Sequence, residues 1–170
     1  MNYNNLRYVC LFLLLLFTSR LVFACDEIIN ESILDNYSKW SIFNASLVNN
    51  KTLKGNTIEL SPEHFFGGRI ERTYKIRKNS GNVLVIRALV KGSGLVTGDK
   101  NYQQAKIVAR FKDRSGHKKR RETDFSGSFD WGYESVILSN VRESGELSIS
   151  LRNEAAKGVV SFKSIQVFSC

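Results

Sequence analysis

Between Glu146 and Arg152 the chain reads Glu-Leu-Ser-Ile-Ser-Leu-Arg, so Leu147, Ile149 and Leu151 fall on one side and Ser148 and Ser150 on the other. A period of two marks a strand with one dry and one wet face, because successive Cβ atoms in a strand point to opposite faces. Lys106 to Lys112 repeats the pattern, with Ile107, Ala109 and Phe111 opposite Lys106, Arg110 and Lys112. Asn82 to Lys91 is more continuously apolar, as suits a central strand. Asn56 to Leu60, Gly68 to Ile76, Ser135 to Leu138 and Val159 to Phe168 complete the set. Turn formers separate these runs: Lys78-Asn79-Ser80-Gly81, Gly92-Ser93-Gly94, Asp113-Arg114-Ser115-Gly116 and Glu143-Ser144-Gly145. Helical periodicity is nearly absent, and the pattern leaves room for a helical turn only between Ile28 and Tyr37. Seven or eight short strands over roughly 140 residues predict an all-β fold, an antiparallel β-sandwich.

The first 24 residues obey a different logic. A short polar start with Arg7 leads into an apolar stretch from Tyr8 to Phe17, and Val22-Phe23-Ala24 precedes Cys25. This reads as a cleaved export signal over 1–24. A retained membrane anchor is the competing reading, but Arg20 interrupts the run well short of the roughly 20 residues a span needs. Residues 25–170 carry no repeat and no low-complexity linker, and read as a single domain in a secreted or periplasmic setting. The two cysteines of this stretch, Cys25 and Cys170, stand at its extreme ends. In an oxidising compartment they can pair. Val-Phe-Ala-Cys also resembles a bacterial lipobox, which would lipidate Cys25. The two fates consume the same sulfur and exclude each other.

The order of elements suggests a family. An early Trp40 strand is followed by Gly67-Gly68-Arg69-Ile70 and Tyr74-Lys75-Ile76, then by the long strand at Val83 to Lys91 and by Ala105 to Gly116. Phe125-Ser-Gly-Ser-Phe-Asp-Trp131 leads into a further strand, and the chain closes on Gly158 to Val167. From about 40 to 168 this resembles the jelly-roll, galactose-binding-like carbohydrate-binding modules found beside secreted glycoside hydrolases. The resemblance implies a jelly-roll sandwich and a glycan ligand. The final strand of that family often carries Asp after the aromatic, a position that helps hold a structural calcium. This chain has Lys163 and Ser164 there, so no metal and no other cofactor is expected.

Nothing in the sequence spells out catalysis. His64 and His117 stand in no metal-ligand spacing, and phosphate-loop, nucleophile-elbow and zinc patterns are missing. The carboxylates Glu59, Glu63, Glu71, Asp124, Asp130 and Glu134 are scattered, reading as solvated surface and turn groups; a non-enzyme is expected. Binding has more to work with. Trp131 and Tyr133 suggest an aromatic platform, although the family keeps a rim-packing Trp where Trp131 stands, and Trp40 reads as core. Tyr102, in a Gly- and Asp-flanked loop, is the best candidate for an exposed loop aromatic. Arg87 interrupts an apolar strand and is costly to bury unpaired. With Arg110 and Glu71 it would form a trio able to hydrogen-bond sugar hydroxyls, or else a cross-strand ion pair.

The formal charge of the chain is +9. Lys106 to Arg121 holds eight Lys or Arg and one Asp, a local +7, whereas bases and acids balance over the rest of 25–170. The segment reads as two strands joined at Arg114-Ser115-Gly116, with Lys118, Lys119, Arg120 and Arg121 at the hairpin tip as an anion-binding cluster. Acidic polymers and anionic lipid headgroups are the partners such a tip attracts. It carries no interleaved aromatics, and export removes most cellular nucleic acid, so DNA and RNA are not expected partners. The membrane enters only through a lipid anchor or this tip. Four Asn-X-Ser/Thr sequons, at Asn30, Asn36, Asn44 and Asn50, are usable only in a eukaryotic secretory pathway. The sequence therefore predicts a non-catalytic binding module for a glycan or anionic surface polymer. The competing class is a protein-interaction or structural sandwich, anchored through Cys25 if lipidated.

Overall fold

The computed structural model describes residues 25–43, 45–48, 57–62, 67–77 and 81–170. The export signal, Glu63, His64, the sequons at Asn44 and Asn50 and most of the Lys78–Gly81 turn lie outside the described residues. Eleven strands are described, in chain order: β1 Asp26–Ser32, β2 Ser41–Phe43, β3 Ala45–Val48, β4 Thr57–Leu60, β5 Gly68–Ile76, β6 Val83–Val96, β7 Ala105–Asp113, β8 Lys118–Phe125, β9 Gly127–Ser139, β10 Gly145–Asn153 and β11 Lys157–Ser169. They form two antiparallel sheets. The five-stranded sheet runs β2-β5-β10-β7-β8, and the six-stranded sheet runs β3-β4-β11-β6-β9 with β1 also on β11. The fold is an all-β sandwich of jelly-roll type.

The alternation seen in the sequence is what closes the sandwich. Ile70, Tyr74, Ile107, Phe111, Leu147 and Ile149 point inward from the five-stranded sheet, and Leu84, Ile86, Ala88, Val90, Val136 and Leu138 meet them from the other; all are buried. Each fully buried side chain of this size contributes about 1.5–3 kcal/mol of apolar transfer. On β11 the inward set changes parity, from Val160 and Phe162 to Ile165 and Val167. A bulge between Phe162 and Ser164 inserts the extra residue that makes the switch. β6 carries similar irregularities around Gly92, so it runs straight through Gly92-Ser93-Gly94, where the sequence suggested a turn. A Cβ at Gly92 would push against the Phe129 ring and the Leu95 side chain, so a larger residue there would displace them.

Local pattern misleads at the start of the chain. Ile28 to Tyr37 is not a helical turn: β1 pairs with β11 from Asp26 to Ser32, and only Tyr37–Lys39 makes one turn of 3-10 helix. Pairing with a long neighbouring strand overrides weak local preference. This pairing sets the two ends of 25–170 side by side, and Cys25 and Cys170 are joined by a disulfide with their Cα atoms 4.3 Å apart. Trp40, 5% exposed, belongs to the core.

One polar group bridges the two layers. Glu31 of β1 accepts two hydrogen bonds from Arg72 Nη1 of β5, at 2.8 and 2.7 Å, and a third from the Tyr74 hydroxyl. Arg72 also stacks its guanidinium on the Tyr74 ring at 4.8 Å. Burial above all, then the bond to Glu31 and its charge, pushes the Tyr74 phenol well above its ordinary value.

Candidate functional site

Strand register places every outward side chain of the five-stranded sheet on a grid. Across β5, β10, β7 and β8, one row reads Lys75, Glu146, Lys112, Lys118 and the next Thr73, Ser148, Arg110, Arg120. A third row, starting one strand earlier on β2, reads Ser41, Glu71, Ser150, Val108, Glu122, and the fourth Phe43, Arg69, Arg152, Lys106, Asp124. The face is polar almost throughout, and its apolar side chains lie at one corner and in the middle. The middle of the face is closed to solvent, with Val108, Ser150 and Lys106 all buried, and exposure increases toward its edges.

Pairings within this face are uneven. Thr73 Oγ1 and Ser148 Oγ share a hydrogen bond of 2.7 Å. Arg152 Nη1 donates to Glu154 at 3.0 Å, and Lys106, almost fully buried, donates to the Tyr102 carbonyl at 2.8 Å and pairs with Glu154 at 3.3 Å. Burial raises the Asp124 carboxyl, with Lys106 working against the rise. Arg110 reaches Glu71 at 3.9 Å across the intervening β10. Burial first, then the positive charge of Arg152, lowers the Arg110 guanidinium, and Arg120 and Arg69 add to this against Glu71.

Two grooves indent the face. One, about 340 Å³, lies at the β2 edge and is lined by Lys39, Ser41, Phe43, Arg69, Glu71 and Thr73, with Arg72 beneath. Phe43 is 47% exposed there, and the Arg69 guanidinium stacks on its ring at 4.3 Å. The other, about 390 Å³, lies between β10 and β8 and is lined by Arg110, Lys112, Lys118, Arg120, Glu146 and Ser148, with Phe111 and Lys119 at its margin.

Several residues singled out from the sequence come out differently placed. The trio of Arg87, Arg110 and Glu71 is split, because Arg87 lies on β6 in the other sheet. Arg110 and Glu71 do share a face and form the cross-strand ion pair. The four basic residues 118–121 are not a hairpin tip: the turn is 114–117, and they form the first half of edge strand β8. Alternation then divides them. Lys118 and Arg120 point to the open face opposite Lys112 and Arg110, whereas Lys119 turns the other way and donates to the carbonyls of Ser139, at 3.0 Å, and Asn140. Arg121 shares that parity, its Nη1 bonding the Arg120 carbonyl at 2.9 Å.

The aromatic candidates sit away from this face. Tyr133, 45% exposed, and half-buried Trp131 share the outer side of β9 in the six-stranded sheet. Arg87 stacks between Tyr133 at 4.4 Å and Phe168 at 5.9 Å, so its charge is met by ring faces. Asp130 accepts from the Trp131 backbone at 2.9 Å and from Lys91 at 3.2 Å, and both interactions hold its carboxyl below the usual range. Tyr102, 57% exposed, projects from the loop that joins the sheets, with Lys100 5.8 Å above its ring. Among the described residues no three of His, Cys, Asp and Glu are placed to hold a metal. His117 faces Asp113 at 3.2 Å inside the β7–β8 turn.

Phe43, Arg69, Thr73, Lys75, Ser148 and Arg152 were not singled out from the sequence. For β5 and β10 the signal was present, because these are the wet positions of strands already recognised. Phe43 had none, since a three-residue strand has no readable period.

No family model matches the chain, and no curated protein matches it by sequence. Solved structures do match it. The family 61 carbohydrate-binding module TmCBM61, in complex with beta-1,4-galactotriose, superposes with a TM-score of 0.53 at 11% identity, over 82% of this chain and 94% of that one. The fold is that of carbohydrate-binding modules. A Clostridium thermocellum xylanase 10B chain carrying CBM22-1 and GH10 modules, complexed with xylohexaose, matches with a TM-score of 0.57 at 12% identity, over 84% of this chain and 28% of that one. The K1 cleaved adhesin domain of Lys-gingipain from Porphyromonas gingivalis W83 matches with a TM-score of 0.51 at 10% identity, over 84% and 98%. At these identities the likeness is one of fold, and function must be argued from the site.

Proposed function

We propose that the protein is a secreted or periplasmic, non-catalytic module that binds a glycan on the outer face of its five-stranded sheet. The observation that carries this reading is the β2-edge groove, where exposed Phe43 stands beside Glu71, Thr73 and Ser41. Sugar rings present apolar C–H faces that rest on an aromatic ring, and hydroxyls that need donors and acceptors together. A carboxylate, hydroxyls and guanidinium groups within one groove supply both. Neighbours of the same fold were solved with galactotriose and xylohexaose, which supports the reading. Glu71 pairs with Arg110 and Asp130 with Lys91, so both carboxylates are engaged by cations of the surface. The Cys25–Cys170 disulfide favours an oxidising compartment, and a lipid on Cys25 would need the same sulfur.

Retention on a panel of polysaccharides tests the site. Phe43→Ala and Glu71→Gln should each weaken retention about tenfold with only a small fall in melting temperature, since each loses one surface contact, the Arg69 stack and the Arg110 pair. Arg87→Ala and Tyr133→Ala, on the opposite sheet, should leave retention unchanged. A second reading rests on that opposite face, where Tyr133 and Ile137 are both about half exposed. If retention were lost in the Tyr133 variant and kept in the Phe43 variant, binding would move to the six-stranded sheet. If no polysaccharide were retained while a protein co-purified only with an intact Tyr133 face, the interaction-module reading would replace the glycan one.

A further inference from the structure

The outer face of the five-stranded sheet sets like charges against each other. Arg110 lies directly opposite Arg120, and Lys112 directly opposite Lys118. Like charges in facing positions of an antiparallel pair destabilise it. Relief is partial: Arg120 pairs with Glu122, Arg110 reaches Glu71 at 3.9 Å and Lys112 has Glu146 in register on its other side, but Lys112 and Lys118 enter no ion pair among the described residues. The groove they line adjoins another of about 330 Å³, with Glu146 shared between them, lined by Lys75, Arg77 and Arg114 together with Ser144 and Gly145. Glu146 is the one acid lining either groove among the described residues. The cations thus form a trough that crosses four strands, a width of about 14 Å at the usual strand spacing.

We infer that this trough takes a polyanionic glycan, its carboxylate or sulfate groups lying across the strands from Lys118 and Lys112 past Glu146 to Lys75, Arg77 and Arg114. The inference rests on the glycan-binding reading and names the ligand class. A single small anion would engage one or two of these cations; a trough of this width is filled by a chain with recurring charges. None of the exposed large apolar side chains, Phe43, Val96, Tyr102, Tyr133 and Ile137, lies in either groove. A lipid surface would therefore find nothing to insert, and nucleic-acid bases no ring to stack on.

The test compares polymers that differ only in charge. Polygalacturonate and its methyl ester form one pair, and dextran sulfate and dextran the other; phosphatidylglycerol vesicles and single-stranded DNA serve as further arms. The charged polymers should bind about tenfold or more tightly than their neutral partners at low salt, and that advantage should shrink as salt is raised. The double variant Lys112→Glu/Lys118→Glu should abolish the advantage, and Lys75→Glu/Arg77→Glu should reduce it, with thermal melts confirming that both remain folded. Equal, salt-insensitive binding of charged and neutral polymers would overturn this inference and leave the glycan reading standing. Binding of no polymer at all would remove both. Unchanged polyanion binding in the Lys112/Lys118 variant would place the site elsewhere. Vesicles or DNA held as tightly as the best polymer would show the ligand class to be wrong.

Discussion

The two outer faces of the sandwich treat their arginines in opposite ways. On the six-stranded sheet Arg87 is enclosed by Tyr133 and Phe168, and no like charge faces it: its neighbours in register are Gln166 and Ser135. On the five-stranded sheet Arg110 looks across at Arg120, and burial and neighbouring cations depress its guanidinium. The first face is arranged for stability. The second sets like charges in facing positions, Arg110 opposite Arg120 and Lys112 opposite Lys118, with Glu71, Glu122 and Glu146 as the acids beside them. The same fold thus separates a face whose arginine is stacked from a face whose cations oppose one another.

The supporting side should show the largest effect. The Cys25–Cys170 bond closes a loop with a sequence separation of 145 and fastens β1 and β11 of the six-stranded sheet. On a chain-entropy account, a loop of this length confers about 5 kcal/mol. Cys25→Ser/Cys170→Ser should therefore lower the free energy of denaturant unfolding by an amount of that order, without removing polymer binding by whatever fraction remains folded. A loss below about 1 kcal/mol would mean that strand pairing, not the bond, holds the ends of 25–170 together.

A smaller effect comes from the link between the sheets. Tyr74 is neutral in the fold and its phenol is raised, so the unfolded chain loses its proton first. The stability due to this group is fully present below the ordinary tyrosine range, near pH 10, and is lost as pH rises beyond it. Alkaline titration of the melting temperature should show a decline that begins near pH 10. In Tyr74→Phe that limb should be blunted, at a neutral-pH loss of about 1 kcal/mol for the missing hydrogen bond. Identical alkaline limbs in both proteins would remove Tyr74 as the cause.

How much of this was legible depended on what each strand does. β5, β7 and β10 were plain because each has one face in the core and one in water. β8 was legible only as charge: of its inward-parity residues Lys119 and Thr123 bond the carbonyls of Ser139 and Ser135, and only Phe125 at its end enters the core, so no apolar stripe exists to be seen. The extents of β6 and β11 were obscured by bulges that shift parity in mid-strand. The grouping of Arg87 with Arg110 and Glu71 failed for a further reason. Alternation says which residues of one strand share a face, but not which sheet the strand joins, and β6 and β7 are consecutive strands in different sheets.

The finest test of the comparison is a pair of single substitutions with opposite signatures. Arg87→Ala removes a stacked side chain from the supporting face and should cost about 1 kcal/mol, with polymer retention intact. Lys118→Glu replaces a like-charge contact with an attractive one opposite Lys112, and should raise stability by about 0.5 kcal/mol at low salt, a gain that fades as salt screens it. The same change places a carboxylate in the cationic trough, so retention of a charged polymer should fall as stability rises. Stability and binding would then move in opposite directions on one face and independently on the other. If Lys118→Glu instead destabilised the protein, the facing cations would be held by something other than their availability to a ligand, and the contrast between the two faces would be one of packing alone.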